Sequence, residues 1–345
     1  MFSFYRTFCF LLFFAFNTKA DVFVDLYESE IWVPDRTDMT FNKAIEKGLS
    51  KVIVKLSGDK AVLELPKIIQ LTKSARSLLV RYGYSEKESN EKLFLKVEFD
   101  KDEVLKKLVA VGAPIWTANR SPVMALLVFE DRFRRTFLDS DSDNELRMEL
   151  EGAFSERGVS LRYPLLDLTD YAVLSVDSVW DKNKESFQHV IDRYGIEDIL
   201  VGRLSQLSSR KWIGEWIYRD SEKMISRFVD ITDSRKMFAT GADLVAKTMA
   251  TRFSVKSLPN DGGRNATLRV VGIENFADYM GLVSWLEGLE VIDHANLERI
   301  IDNVLEFRLI SVASKNDLSK IIGLNSNLIL LSSKNNFDRL TYKWR

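Results

Sequence analysis

Cysteine is almost absent from this chain: the single copy, Cys9, lies in an apolar run near the start, and nothing after Ala20 supplies another. A disulfide framework and a thiolate metal cage are therefore excluded. Folding must rest on buried apolar area, which 345 residues at 46% hydrophobic can supply. Histidine is nearly as scarce, so a His-based metal site or a Ser–His pair would have to use His189 or His294. His189 falls on a helical pattern beside Phe187 and Val190, and His294 on a strand pattern beside Ile292, which reads both as packing or surface residues. Charge of one sign is also missing: 49 basic residues face 50 acidic ones, leaving no basic field for nucleic acid or anionic lipid. No Gly-x-Ser-x-Gly elbow, Walker loop or dinucleotide fingerprint occurs. The sequence thus names no catalytic, cofactor-binding or metal-ligating residue.

What is present begins with the first twenty residues. Arg6 precedes the unbroken apolar run Phe8–Phe16, and Thr18-Lys19-Ala20 offers a small-x-small site before Asp21. This is the pattern of a secretory signal peptide over residues 1–20, and it predicts a periplasmic protein. Nine apolar residues give about 14 Å of helix, against the roughly 30 Å of a bilayer core, so an uncleaved anchor is the weaker alternative. No transmembrane segment is expected once the signal is removed. Without Arg6 and Lys19, 47 basic residues remain against 50 acidic ones, a net charge near −3.

The remainder predicts an α+β fold of three small α/β-type domains. In the first, residues 21–115, Val22 to Val33 alternates as a strand, and Phe41 to Leu56 has helical spacing that ends at Ser57-Gly58. A second helix is expected from Pro66 through Tyr82, then a strand Leu93–Phe99 and a helix capped by Asp100. In the central domain, residues 116–256, the wholly apolar Val123–Phe129 suits a strand covered on both faces. Helices near 146–154, 185–194 and 237–253 follow, the last with Ser234 as its expected cap, together with three late antiparallel strands at 199–204, 211–218 and 225–231. Residues 257–265, containing Pro259, Asn260, Asp261 and two glycines, read as a linker. Residues 266–333 then follow β-α-β-β-α-β, the split order of ferredoxin-like domains, and 334–345 read as a carboxy-terminal tail.

The centre of the chain also carries a family resemblance. The strings Glu156-Arg157-Gly158-Val159, Pro164-Leu165-Leu166-Asp167-Leu168, Arg193-Tyr194 and Leu200-Val201-Gly202-Arg203, with Asp177, Trp180, Trp212 and Trp216, resemble an uncharacterised proteobacterial envelope family, domain of unknown function 2066. Gly112-Ala113-Pro114 and the helix from Ala44 to Gly58 fit the same pattern. The resemblance implies an exported cell-envelope protein with an envelope protein or cell-wall component as partner, and it assigns no catalytic residue.

Several constellations fall short of chemistry. Asp139-Ser-Asp141-Ser-Asp143 begins like a calcium loop, but Leu150 stands where a bidentate carboxylate is required, so a solvated loop at a helix start is the better reading. Ser57-x-x-Lys60 and Ser142-Asp143-Asn144 match two elements of penicillin-interacting serine enzymes, yet Ser57 ends a helix and no Lys-Thr-Gly follows. Asp167 with Asp177 is the carboxylate pair available to a hydrolase, with capped loops as the alternative. The densest feature is aromatic: on a strand, Trp212, Gly214, Trp216 and Tyr218 share one face. Buried, that face is core; partly open, with Gly214 leaving a gap between indoles, it is a partner- or glycan-binding platform. The function expected is a non-enzymatic binding or assembly factor, with a carboxylate-based hydrolase of an envelope polymer or a structural envelope module as alternatives.

Overall fold

A computed structural model of the chain describes residues 25–87, 92–130, 134–138, 145–208, 211–256, 264–325, 327–332 and 339–345. The expected signal segment, almost all of the calcium-like run, Ser142-Asp143-Asn144 and nearly all of the linker lie outside the described residues.

The first unit builds on helix α1 (Asp38–Ser57), which Thr37 caps and Gly58 closes in the left-handed conformation. Its Leu49, Val52, Ile53 and Leu56 are fully buried against Leu95 and Val97. Those last two belong to an antiparallel sheet of β1 (Glu28–Trp32), β2 (Leu79–Lys87) and β3 (Lys92–Phe99), with β3 in the middle. Helices α2 (Pro66–Lys73) and α3 (Lys101–Ala110) complete it. The helix expected to reach Tyr82 stops at Lys73. Ser74 turns its hydroxyl back onto the Leu71 carbonyl, a 3₁₀ turn follows, and Tyr82 lies opposite Val97 in the sheet. Pairing with a distant strand outweighs local helical spacing there.

Strand β4 (Pro114–Ile115) leads into the central unit. Its six-stranded sheet contains β5 (Val123–Glu130), β6 (Arg135–Leu138), β7 (Leu161–Arg162), β8 (Ile199–Ser208), β9 (Lys211–Arg219) and β10 (Met224–Ile231). The order is β10-β9-β8-β5-β6, with β7 beside the start of β5. Strand β5 is covered on both faces, as its unbroken apolar run predicts. Val123, Ala125 and Leu127 face a layer of α4 (Glu145–Ser155) and α8 (Ser234–Phe253). Met124, Leu126 and Val128 face α6 (Val176–Trp180) and α7 (Lys184–Tyr194), which follow the one-turn α5 (Leu168–Tyr171). Asp233, not Ser234, caps α8, and the Ser234 hydroxyl donates to Glu149 instead.

The chain leaves this unit through β11 (Val255–Lys256), which pairs antiparallel with β4, placing Val255 opposite Ile115. Both side chains are buried in the core of the third unit. That unit runs β12 (Arg264–Val271), α9 (Phe276–Gly288), β13 (Ile292–Ile301), β14 (Val304–Ser311), α10 (Lys315–Ile322), β15 (Leu328–Ser332) and β16 (Arg339–Trp344). The β-α-β-β-α-β order is present, but the residues read as a tail are not one. β16 enters the sheet between β12 and β15, parallel to the first and antiparallel to the second. Its signal was the alternation Leu340, Tyr342, Trp344, which packs on the core side with Tyr342 fully buried.

Candidate functional site

Trp212, Gly214, Trp216 and Tyr218 share one face of β9, but that face is closed. Exposure is 5% at Trp212, 0% at Trp216 and 1% at Tyr218, so the platform expectation gives way to the core reading. Helix α8 lies over the face. Trp216 donates its indole N–H to the Met237 carbonyl at 3.0 Å, and Phe238 packs edge-on with its ring 6.3 Å away. The indole fits because Gly241 of α8 and Gly202 of β8 lie against it; a Cβ on either would come within 2.7 or 2.8 Å of the ring. The gap expected at Gly214 is filled from β8 by Leu204 and the Arg203 carbonyl. Tyr218 donates to the buried Asp198 at 2.5 Å, and burial pushes both the carboxyl and the phenol upward in pKa.

Asp167 and Asp177 take separate partners. Asp177 stands exposed with Arg135 at 3.3 Å. Asp167 caps α5 and receives a bidentate fork from Arg193 at 2.7 and 2.6 Å. The residue that sequence reasoning missed is Asp170, which is fully buried. Its carboxylate accepts from Arg193 at 2.6 Å, from Tyr194 at 2.6 Å and from the Leu166 amide at 2.9 Å, with His189 Nε2 at 2.9 Å. Burial alone would raise the Asp170 pKa, but hydrogen bonds from Tyr194, His189 and Arg193 hold it below the usual carboxylate range. Arg193 likewise holds Asp167 well below that range, while burial and the adjacent carboxylate push Tyr194 up to about 12. A sequence signal did exist: Asp167 and Asp170 are three apart, and His189 and Arg193 are four apart on one face of α7.

This network fastens a loop. The Leu165 amide donates to the Tyr194 hydroxyl and the Leu166 amide to Asp170, and Leu166 adopts φ 51°. Positive φ is disfavoured for leucine, at a cost of about 1–2 kcal/mol. Around this one strained residue three apolar side chains face outward: Leu165 is 69% exposed, Leu168 91% and Tyr171 59%.

Where the first two units meet, Arg120 donates to the carbonyls of Lys55, Trp116, Thr117, Arg157 and Gly158 at 2.7–3.2 Å. Its guanidinium lies 3.5 Å over the Trp116 ring. Burial pulls its pKa down to about 9, so it stays cationic at neutral pH, and carbonyl oxygens take the place of a carboxylate partner. Gly158 is required here: it holds φ 65°, and a Cβ would sit 2.3 Å from the guanidinium. Beside this joint a cleft of about 580 Å³ runs between β1 and the α4–β7 connection. Its polar groups are largely committed. Buried Lys55 donates to the Asp25 and Glu28 carbonyls, Glu28 pairs with Lys96, and Glu151 pairs with Arg147.

The remaining motif residues do no joint chemistry. Ser57 donates to the Asp59 carbonyl, Lys60 pairs with Asp243 at 2.8 Å, and His294 is exposed on β13. Among the described residues no group of three or more His, Cys, Asp and Glu side chains converges on a metal position, and no helix is long and apolar enough to cross a membrane.

Comparison with known proteins corrects the family resemblance. The family model that matches is a domain of unknown function (DUF8605), over residues 20–117, and not domain of unknown function 2066. Most of the strings behind the resemblance lie beyond that span, in the central unit. No curated protein matches. Two solved structures are similar at a low level. One is an uncharacterized protein, 12% identical over 39% of this chain and 92% of its own, with a TM-score of 0.17. The other is a formyltetrahydrofolate deformylase from Pseudomonas putida KT2440, 11% identical over 55% of this chain and 92% of its own, with a TM-score of 0.21. Likeness at these scores carries nothing over to this chain.

Proposed function

We propose that the protein is exported and acts as a non-enzymatic binding or assembly factor of the cell envelope, docking a partner protein through the loop Leu165–Tyr171. The observation that carries this reading is the loop itself: three exposed apolar side chains flanking one strained residue, Leu166, and held by a buried carboxylate with four hydrogen-bonding partners. Strain persists where surrounding structure over-determines it, and such places concentrate at ligand clamps and binding sites. A large exposed apolar side chain on a rigid support loses little entropy when it binds. The hydrolase alternative loses its carboxylate pair, because Asp167 and Asp177 are engaged with different arginines.

Export rests on Arg6, the run Phe8–Phe16 and the site at Thr18-Lys19-Ala20. Mass spectrometry of the native protein should find the amino terminus at Asp21, in the periplasmic fraction. A photocrosslinking residue at position 168 should form a discrete adduct in intact cells, whereas one at position 39, where Met39 is also exposed, should not. Full-length protein in the cytoplasm, or equal crosslinking from both positions, would refute the reading.

A further inference from the structure

The charge surrounding the loop defines what it docks against. Between Leu161 and Asp198 the sequence carries eight carboxylates and four basic side chains. Ion pairs or burial take up Arg193 and Lys182 on one side and Asp167, Asp170, Asp177 and Asp198 on the other, which leaves Asp181, Glu185, Asp192 and Glu197 exposed against Arg162 and Lys184. The exposed charge that the segment carrying the loop leaves uncompensated is therefore acidic, by two. We infer that Leu165, Leu168 and Tyr171 form a convex knob that enters an apolar groove on a partner protein whose rim is basic. This inference rests on the binding-factor reading and adds the chemistry of the partner.

Three observations carry it. First, the knob protrudes: 91% exposure at Leu168 leaves almost nothing of its own fold beside it, so a complementary surface must be concave. Second, the knob is preorganised. Arg193 bridges Asp167 and Asp170, and Tyr194 accepts the Leu165 amide while donating to Asp170, so one helix, α7, holds both ends of the loop. Third, the excess of exposed carboxylates in this segment discriminates between occupants. A bilayer rich in anionic lipid would be repelled, whereas a groove edged with Lys or Arg would gain faster association and a preferred orientation.

A peptide-display library panned on the full exported chain tests this directly. Selected peptides should combine aliphatic or aromatic residues with flanking Lys or Arg, and their binding should weaken as salt rises. Leu168→Ser, a change at a side chain nearly free of contacts, should reduce affinity for a selected peptide by about tenfold or more without moving the melting temperature. Arg193→Gln should also weaken that peptide, although it leaves all three apolar residues in place; a knob that needed no positioning would be unaffected. The inference is overturned if the selected peptides carry no basic flank or bind Leu168→Ser as tightly as the parent. It is equally overturned if the chain instead binds vesicles containing phosphatidylglycerol through Leu168. Position-specific crosslinking at residue 168 combined with peptides lacking basic flanks would remove the basic rim alone and leave the binding-factor reading standing. Loss of both results would remove the two together.

Discussion

Replacing Arg120 with methionine keeps an unbranched stem of similar length while deleting the guanidinium that gathers five carbonyls from α1, the β4–β5 connection and the end of α4. Each buried carbonyl left without a donor costs about 1–3 kcal/mol, and hydrogen bonds from charged donors lie at the upper end of that range. The five costs do not add, because carbonyls near the cleft gain water once the side chain is gone. With two or three of the five left dry, the expected loss is about 3–5 kcal/mol. The stack on Trp116 is lost as well. For a unit of this size each kcal/mol lowers the melting temperature by roughly 2–4 °C, so Arg120→Met should melt about 6–20 °C below the parent. Differential scanning calorimetry reads the shift. Hydrogen exchange should rise at the last turn of α1 and around Gly158, the two places the guanidinium ties together. Arg120→Lys should fall between the two proteins, since an ammonium has three donors and no plane to stack. A Met variant melting within about 2 °C of the parent, with unchanged exchange at both places, would show that the carbonyls find other donors and that the joint does not depend on this residue.

Three further outcomes are expected. Trp216→Ala should cost about 3–5 kcal/mol by chemical denaturation, because the indole is wholly buried between Gly202 and Gly241; a loss below about 1 kcal/mol would reopen the platform reading. The Asp167–Asp170–Arg193 clasp should be acid-labile in one direction only. Both carboxyls sit below their ordinary value of 3.8, so the clasp's contribution is complete above that pH and is lost as pH falls through the lowered folded-state values, a loss amide exchange at Leu166 would report. Tyr342→Ala should destabilise the third unit by about 3–5 kcal/mol and make residues 328–332 protease-sensitive; an unaffected variant would mean that β16 is dispensable to the sheet.

Periodicity made much of the fold legible. The apolar run of β5 announced two covered faces, and the alternation at Leu93–Phe99 and the turn residues Ser57-Gly58 marked their elements. What it missed were contests between local and distant partners. Leu79–Tyr82 has helical spacing but joins β3, and β16 looks like a tail until the slot beside β12 is known. The site was legible only in pieces. Asp167, His189 and Arg193–Tyr194 each stood out, but nothing in their spacing says that a helix beginning seventeen residues after Asp167 returns to clasp the loop. Asp170 drew no notice because its burial is a property of the fold. The aromatic strand was read correctly for face and left open for exposure, which depends on α8, a helix that begins sixteen residues after Tyr218.

The pairing of β4 with β11 sets how the molecule carries tension. A pull between the first and third units loads the two residue pairs Pro114↔Lys256 and Ile115↔Val255 together with α3, whose Leu105 and Val109 pack on the third unit's core and whose Lys101 donates to the Gly288 carbonyl. The geometry is that of unzipping, which loads one pair at a time, but the inner pair is anchored because Ile115 and Val255 are both embedded in the third unit's core. The covalent path through the central unit is thereby shunted, and a load carried between the outer units reaches the Leu165–Tyr171 knob in full only once the strand pairs and the α3 contacts have given way.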